Sequence, residues 1–342
     1  MDINSFKAIF DPKLNIYIQQ KMSQAKQLLD NAEINAYIDY LEPFVFSGGK
    51  RIRPYCLWLM YKFDGQEDED ILQFAIVFEL LHTMALIHDD IIDQSQKRHN
   101  VSTMHAYIEQ LGENHNIQVS EGQAILIDLL LSRVYELGNK HYRFSEQVLE
   151  DARINLHTMI EEVILGQMID VQMMTGKNTT KEMIEKKNMF KTASYTFTRP
   201  LLTGAILAGA DQTQKSLVIE LGNALVAFQM KDDLMDITLG DKTKSLFSDI
   251  QEGQQTYFTQ YIKEHGSQSD NDLLSSCMGQ SLNNHQIESL QTMFKESSAI
   301  EAGIARMLEY TKKAKELLNA ITFQNTLAYD GIIGLISKIE HF

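Results

Sequence analysis

The sequence predicts an all-α fold, and three observations carry that expectation. Only four prolines interrupt 342 residues, while Leu, Ile, Met, Ala, Gln, Glu and Lys are abundant, a composition that favours helix over strand. Apolar residues recur at three- and four-residue spacing in "YIQQKMSQAKQLLDNA", "ILQFAIVFELLHTMALIH", "LVIELGNALVAFQMKDDLMDI" and "IEAGIARMLEYTKKAKELLNAI". No segment shows the clear apolar–polar alternation of a half-buried strand.

The helix expected over Leu72 to Ile92 is apolar on nearly all faces, which places it inside the molecule with its acidic end opening into a cavity. Loops are expected at "SGGKRIRP", "TGKNTT" and "TLGDKTKS", and through the polar stretch "EHGSQSDNDLLSSCMGQSLNNHQ". The length would allow two domains, but no long linker divides the chain, so residues 1–342 are read as one domain.

Charge and cysteine content exclude several functions. Lys and Arg number 31 against 46 Asp and Glu, a formal charge of −15, which disfavours non-specific binding to nucleic acid or anionic membranes. Any bound anion needs local basic residues. Cys56 and Cys277 stand far apart with no nearby His or Cys set, against both a disulfide framework and a zinc site, and a reducing cytoplasm fits. The first residues carry scattered charge instead of a basic stretch before an apolar run, so no signal peptide is expected. The run Leu201 to Ala210 is too short to cross a bilayer, and no transmembrane segment is expected.

Two acidic clusters share one spacing. "LIHDDIID" carries Asp89, Asp90 and Asp93, and "FQMKDDLMD" carries Asp232, Asp233 and Asp236. Residues four apart share a helix face, so Asp89 with Asp93, and Asp232 with Asp236, would each direct two carboxylates to one point. Like charges so placed repel unless a cation lies between them, and hard oxygen donors suit Mg²⁺, which commonly also binds substrate phosphates. A solvated helix face would give the same letters. Yet each triplet ends a strongly apolar segment, where charge is expected only beside a wet cavity.

These residues resemble the motifs of the trans-isoprenyl diphosphate synthases, the head-to-tail prenyltransferases. "HDDIIDQSQKRH" is similar to the family's first aspartate-rich motif, and "FQMKDDLMD" followed by "KSLFSDIQEG" to its second. "GGKRIRP" at Gly48 to Pro54, "GQMID" from Gly166 and "KTA" from Lys191 match further family elements in family order. The resemblance implies an isoprenoid synthase-type helical bundle with a central active-site cavity, a homodimer, and condensation of isopentenyl diphosphate with an allylic diphosphate. It implies Asp89, Asp93 and Asp232 as direct ligands of Mg²⁺, three ions with diphosphate bound, with Asp90, Asp233 and Asp236 supporting or binding through water. Lys50, Arg53 and His82 resemble isopentenyl diphosphate contacts, and Arg98 an allylic diphosphate contact. Lys191, Thr192 and Gln229 match positions at the allylic diphosphate or the forming cation, and Lys244 would supply another charge.

Departures from the family pattern are equally legible. Arg98, His99 and Asn100 stand where Arg-Arg-Gly is usual, so His99 puts a titratable group in place of a permanent cation and predicts weaker isopentenyl diphosphate binding. Gln254 in "GQQT" replaces a lysine, and Gly122 and Gln123 replace Gly-Asp. Met84, five residues before Asp89, is bulkier than the small residue of long-chain enzymes and softer than the ring of farnesyl-type ones. A product between geranylgeranyl and heptaprenyl diphosphate is expected. Farnesyl diphosphate synthase, a non-catalytic or weakly active subunit of a heteromeric synthase, and a terpene cyclase are the alternatives.

Overall fold

The computed structural model describes residues 2–28, 31–62, 70–112, 119–140, 142–174, 179–238, 246–323 and 326–341. The fold is all-α, with one short hairpin among the described residues. The chain divides into two compact units: Met1–Trp58 with Glu67–Ser145, and Leu59–Gln66 with Glu146–Phe342.

The first unit contains α1 (Ile3–Leu28), α2 (Ala32–Asp39), α3 (Leu41–Phe46), most of α4 (Ile52–Tyr61), α5 (Asp70–Ile92), α6 (Met104–Gly112) and α7 (Val119–Gly138). On α1 the buried residues Phe6, Phe10, Leu14, Ile18 and Met22 fall four apart, a single apolar stripe. Asp2 starts this helix by accepting a hydrogen bond from the Ser5 amide at 2.8 Å. Phe6 stacks on Phe10 at 5.2 Å and meets both Tyr55 and Trp58 of α4 at 5.4 Å, which pins α1 to α4.

The longest apolar element is α5, not the Leu201 to Ala210 run. By length and composition α5 could cross a membrane, but 67% of its most apolar window is buried, as for a core helix. A run count misses it because Glu79 and His82 interrupt the apolar letters. Glu79 is itself buried, and the Arg51 guanidinium pairs with it, so the charge sits inside at the reduced cost of a paired ion.

After α5 the chain turns through β1 (Lys97–Arg98) and β2 (Val101–Ser102), an antiparallel pair in the register Lys97 to Ser102 and Arg98 to Val101. Between them His99 and Asn100 adopt φ of 46° and 69°. Two successive left-handed residues give the turn that suits a right-twisted two-residue hairpin. Thr103 Oγ1 donates to Ser95 O at 2.6 Å and Tyr40 Oη to Ser102 O at 2.9 Å, closing the hairpin from both sides.

The second unit contains α8 (Glu146–Met174), α9 (Lys181–Lys187), a π-helical segment (Asn188–Thr198), α10 (Arg199–Leu207), α11 (Gln212–Ala224), α12 (Ala227–Thr238), α13 (Ser248–Gln251), α14 (Tyr257–His265), α15 (Gln268–Cys277), α16 (Asn284–Glu296), α17 (Ala299–Ala320) and α18 (Thr326–Glu340). The π-helical segment packs against α8, α10 and α11. Such wide turns are rare and concentrate at functional sites. The polar stretch from Glu264 to Gln286 is not a loop throughout, because α15 lies within it. Ser267 caps α15 by accepting from the Asp270 amide at 3.2 Å while its own amide donates to Asp270 Oδ2 at 2.9 Å, and Asn283 with Gln286 forms the same reciprocal cap on α16.

Candidate active site

In the first unit a basic group gathers on the acidic end of α5. The glycine loop before α4 is held by Arg51, buried and with φ 55°, whose Nε donates to Asp11 Oδ1 at 2.9 Å and Nη2 to Val45 O at 3.1 Å. Lys7 Nζ adds a bond to Gly49 O at 3.0 Å. Arg51 thus anchors the loop that presents Lys50, which is exposed, and Arg53, which is half-buried. Gly48 lies directly under the His99 ring, and a Cβ there would meet His99 Cγ and Cδ2 at 2.8 Å. The hairpin tip and the glycine loop therefore pack together.

His82 stands among these groups. Burial holds its imidazole well below the usual range, and the positive fields of Arg53, Arg98, Arg51 and His99 act in the same direction. The structure thus brings His82, Arg53, Arg98 and His99 into one neighbourhood, a concentration of positive charge suited to an anion.

The three aspartates of the first cluster take different positions. Asp89 and Asp93 are half-exposed, and the Asp93 amide donates to Asp89 O at 2.8 Å, so the two remain one turn apart although Asp93 follows the last residue of α5. Asp90 is 1% exposed and turned inward. Arg98 Nε lies 2.9 and 3.1 Å from its two oxygens and Nη2 lies 2.7 Å from Oδ1, a forked ion pair. Burial raises the Asp90 carboxyl, and Arg98 and His105 oppose the rise.

The second unit repeats this division. Asp232 is exposed, whereas Asp233 and Asp236 are buried. Asp236 is buried and bonded within the fold, where i,i+4 spacing predicts a carboxylate open to an ion shared with Asp232. Its Oδ1 accepts from the Ser248 amide at 2.9 Å and Ser248 Oγ at 2.6 Å, and its Oδ2 from the Asp249 amide at 3.1 Å. Asp236 thereby caps α13, satisfying backbone donors that helix ends leave over. Asp233 Oδ1 accepts from Gln229 Nε2 at 2.6 Å, and Gln229 Oε1 accepts from Thr192 Oγ1 at 2.7 Å. This chain joins α12 to the π-helical segment. Burial pushes the Asp233 carboxyl up to about 7, with Lys187 and the Gln229 bond opposing and Asp232 and Asp236 reinforcing.

Lys191 Nζ lies 2.6 Å from Asp170 Oδ2. Burial works against ionisation of Asp170, but Lys187 and Lys191 outweigh it and hold the carboxyl below the usual carboxylate range. Gly166, one turn before Asp170 on α8, is where the π-helical backbone comes close: a Cβ there would meet Lys191 N at 2.8 Å. Lys244 lies outside the described residues, as do the side chains of Gly122 and Gln123.

Sequence reasoning missed Arg51, Asp170 and Lys187. Asp170 could have been found, since it ends the quoted "GQMID". Lys187 has no signal beyond its place three residues after the buried Ile184. Among the described residues no three His, Cys, Asp or Glu side chains form a ready-made metal site. The half-exposed pair Asp89 and Asp93 in the first unit, and the exposed Asp232 in the second, each fit Mg²⁺ in another way, because that ion binds through one or two carboxylates and takes the rest of its shell from water and substrate phosphates.

The profile of the polyprenyl synthetase family matches residues 33–296. The chain is 28% identical over 288 residues to the short chain isoprenyl diphosphate synthase of Methanothermobacter thermautotrophicus, covering 82% of this chain and 83% of that one. It is 31% identical over 234 residues to the geranylgeranyl diphosphate synthase of Methanosarcina mazei, covering 66% and 67%, and 24% identical to the octaprenyl diphosphate synthase of Escherichia coli, covering 97% and 96%. Among solved structures, geranylgeranyl pyrophosphate synthase of Corynebacterium glutamicum, complexed with isoprenyl diphosphate and magnesium, superimposes with a TM-score of 0.84 at 25% identity over 96% of this chain and 98% of that one. With the family profile spanning most of the sequence and a relative of the same all-α build matching nearly end to end, this chain belongs to the polyprenyl synthetase family of trans-prenyltransferases.

Proposed function

We propose that the protein condenses isopentenyl diphosphate with an allylic diphosphate head to tail, giving a product between geranylgeranyl and heptaprenyl diphosphate. The reading rests on one observation above all. Each aspartate cluster keeps its first member towards solvent, Asp89 and Asp232, while Asp90, Asp233 and Asp236 are turned inward and hydrogen-bonded. Carboxylates kept open to solvent beside a buried, hydrogen-bonded set suit a ligand that arrives from solvent.

Magnesium fits Asp89, Asp93 and Asp232, and when bound it would neutralise the charge that develops on the departing diphosphate. The relatives complexed with isoprenyl diphosphate and magnesium, or with calcium in the polyprenyl synthase of Caulobacter crescentus, support this choice. Both clusters then serve the allylic diphosphate. Arg98, oriented by Asp90, and Lys191 with Thr192 bind its oxygens. Gln229 is fixed by Thr192 and Asp233, so that its amide dipole faces the forming allylic cation. Lys50, Arg53, His82 and His99 hold isopentenyl diphosphate, with neutral His82 donating a hydrogen bond and no charge. The double bond of isopentenyl diphosphate attacks the allylic carbon, and loss of one proton from the adduct restores a neutral alkene.

The product range follows Met84, half-buried on α5 and five residues before Asp89, and lies within the spread of relatives named for geranylgeranyl, geranylfarnesyl and octaprenyl products. A homodimer in the cytoplasm, with the whole chain acting as one catalytic domain, completes the proposal. Incubation with Mg²⁺, isopentenyl diphosphate and a series of allylic diphosphates, followed by sizing of the products, tests it. Elongated products that vanish with a chelator are expected; no elongation of any primer would end the reading.

A further inference from the structure

One buried carboxylate in the second unit is shared by two ammonium groups. Asp170, 4% exposed at its side chain, lies 2.6 Å from Lys191 Nζ and 3.5 Å from Lys187 Nζ. The two lysines differ in access: the Lys191 side chain is 26% exposed and that of Lys187 is 9%. Lys187 also donates to Gln255 O at 2.9 Å, at the turn that leads into α14. A lysine buried this deeply is uncommon and needs a reason. A pair of Asp170 with Lys191 alone would already be neutral. The third charge leaves an excess of one positive charge beside Asp233, on which Lys187 also acts.

Resting on the reading of Lys191 as a diphosphate contact, we propose that Lys187 is a positioning residue: it is the permanent partner of Asp170, which lets the exchangeable partner Lys191 turn to the allylic diphosphate. A buried carboxylate left without a cation is strongly destabilising, so a lone Asp170–Lys191 pair would resist separation. With Lys187 in place, Asp170 keeps a counter-charge when Lys191 leaves. The departure also relieves the repulsion between the two ammonium groups.

Lys187→Gln tests the charge separately from the anchor, because a glutamine amide can still donate to the Gln255 carbonyl. It is expected to raise the KM for the allylic diphosphate by on the order of tenfold, about 1.4 kcal/mol, and to leave the KM for isopentenyl diphosphate within about twofold. The double variant D170N/K187Q removes the carboxylate that would detain Lys191, and its allylic KM is expected to return to within about threefold of wild type. Thermal unfolding checks that each variant is folded. An unchanged allylic KM in K187Q, a parallel rise in both KM values, or a double variant at least as impaired as the single one would overturn the proposal. If K187Q does not fold, D170N decides alone: an allylic KM at or below the wild-type value supports the proposal and a tenfold rise overturns it. Calorimetric binding of magnesium pyrophosphate, which needs no turnover, is read alongside. A wild type that never elongates a primer ends the functional reading, whereas an active wild type with an indifferent K187Q ends only this one.

Discussion

Arg98 grips both carboxylate oxygens of Asp90, at 2.7 to 3.1 Å, and thereby fixes the hairpin to the last turn of α5. Asp90→Asn keeps the shape and removes the charge that orients the guanidinium. Arg98 is then expected to swing, and kcat/KM for the allylic diphosphate to fall on the order of 100-fold, the scale seen when a binding group is misplaced by about an ångström. Asp89→Asn should act differently, raising the Mg²⁺ concentration needed for half-maximal rate. Steady-state kinetics across a Mg²⁺ titration separates the two; equal metal dependence in both variants would contradict the division of roles.

Gly166→Ala probes the close approach of α8 to the π-helical segment. The new methyl would meet Lys191 N at 2.8 Å and Phe190 Cβ at 3.0 Å, and backbone cannot yield as a side-chain tip can. A loss of about 1–3 kcal/mol is expected, as for other overpacked sites, together with a lower kcat because Lys191 moves. Thermal unfolding and initial rates measure both, and a fully stable, fully active variant would refute the contact.

Acid stability is expected to depend on Glu162. Burial disfavours its charge, but bonds from Arg199 and Ser194 outweigh burial and hold the carboxyl below its ordinary value near 4.5. The native state thus binds the proton less readily than the unfolded chain. Stability from this group is full above the unfolded value and is lost as pH falls through the lower native value. Glu162→Gln should therefore flatten the acid limb of a plot of unfolding midpoint against pH, leaving no comparable change in slope near neutrality.

Met84 sets a fourth test. If side-chain bulk at Met84 limits the growing tail, as proposed, Met84→Ala should lengthen the product by one or more isoprene units and Met84→Phe should shorten it. Chromatography of dephosphorylated products reads the outcome. Identical distributions in both variants would move the floor of the pocket to another residue.

The helices and the acidic clusters were legible because their signals are local. Three- and four-residue apolar spacing marks α5, α12 and α17 in the sequence alone, and Asp-Asp-x-x-Asp is visible as letters. The hairpin was not, because two-residue strands are too short to show a period, and His99–Asn100 forms its turn without the glycine that usually flags one. Ser, Asn and Asp in the Glu264 to Gln286 stretch read as loop-formers, yet Ser267 and Asn283 are helix caps. The inward turn of Asp236 and the burial of Lys187 depend on partners from distant parts of the chain. Such contacts leave no local pattern. The division between Trp58 and Leu59 falls inside α4, where no linker composition could announce it.

The eleven residues of Asn188–Thr198 are wound more loosely than an α-helix. This makes the segment unusually sensitive to chain length. Removing one residue while the winding stays loose would rotate every following side chain by about 100°, carrying Ser194 and Thr198 away from Glu162 and Asn223, their present partners. Lineages that gain or lose a single codon here would thus re-aim a whole wall at once, a larger step than any point substitution along it.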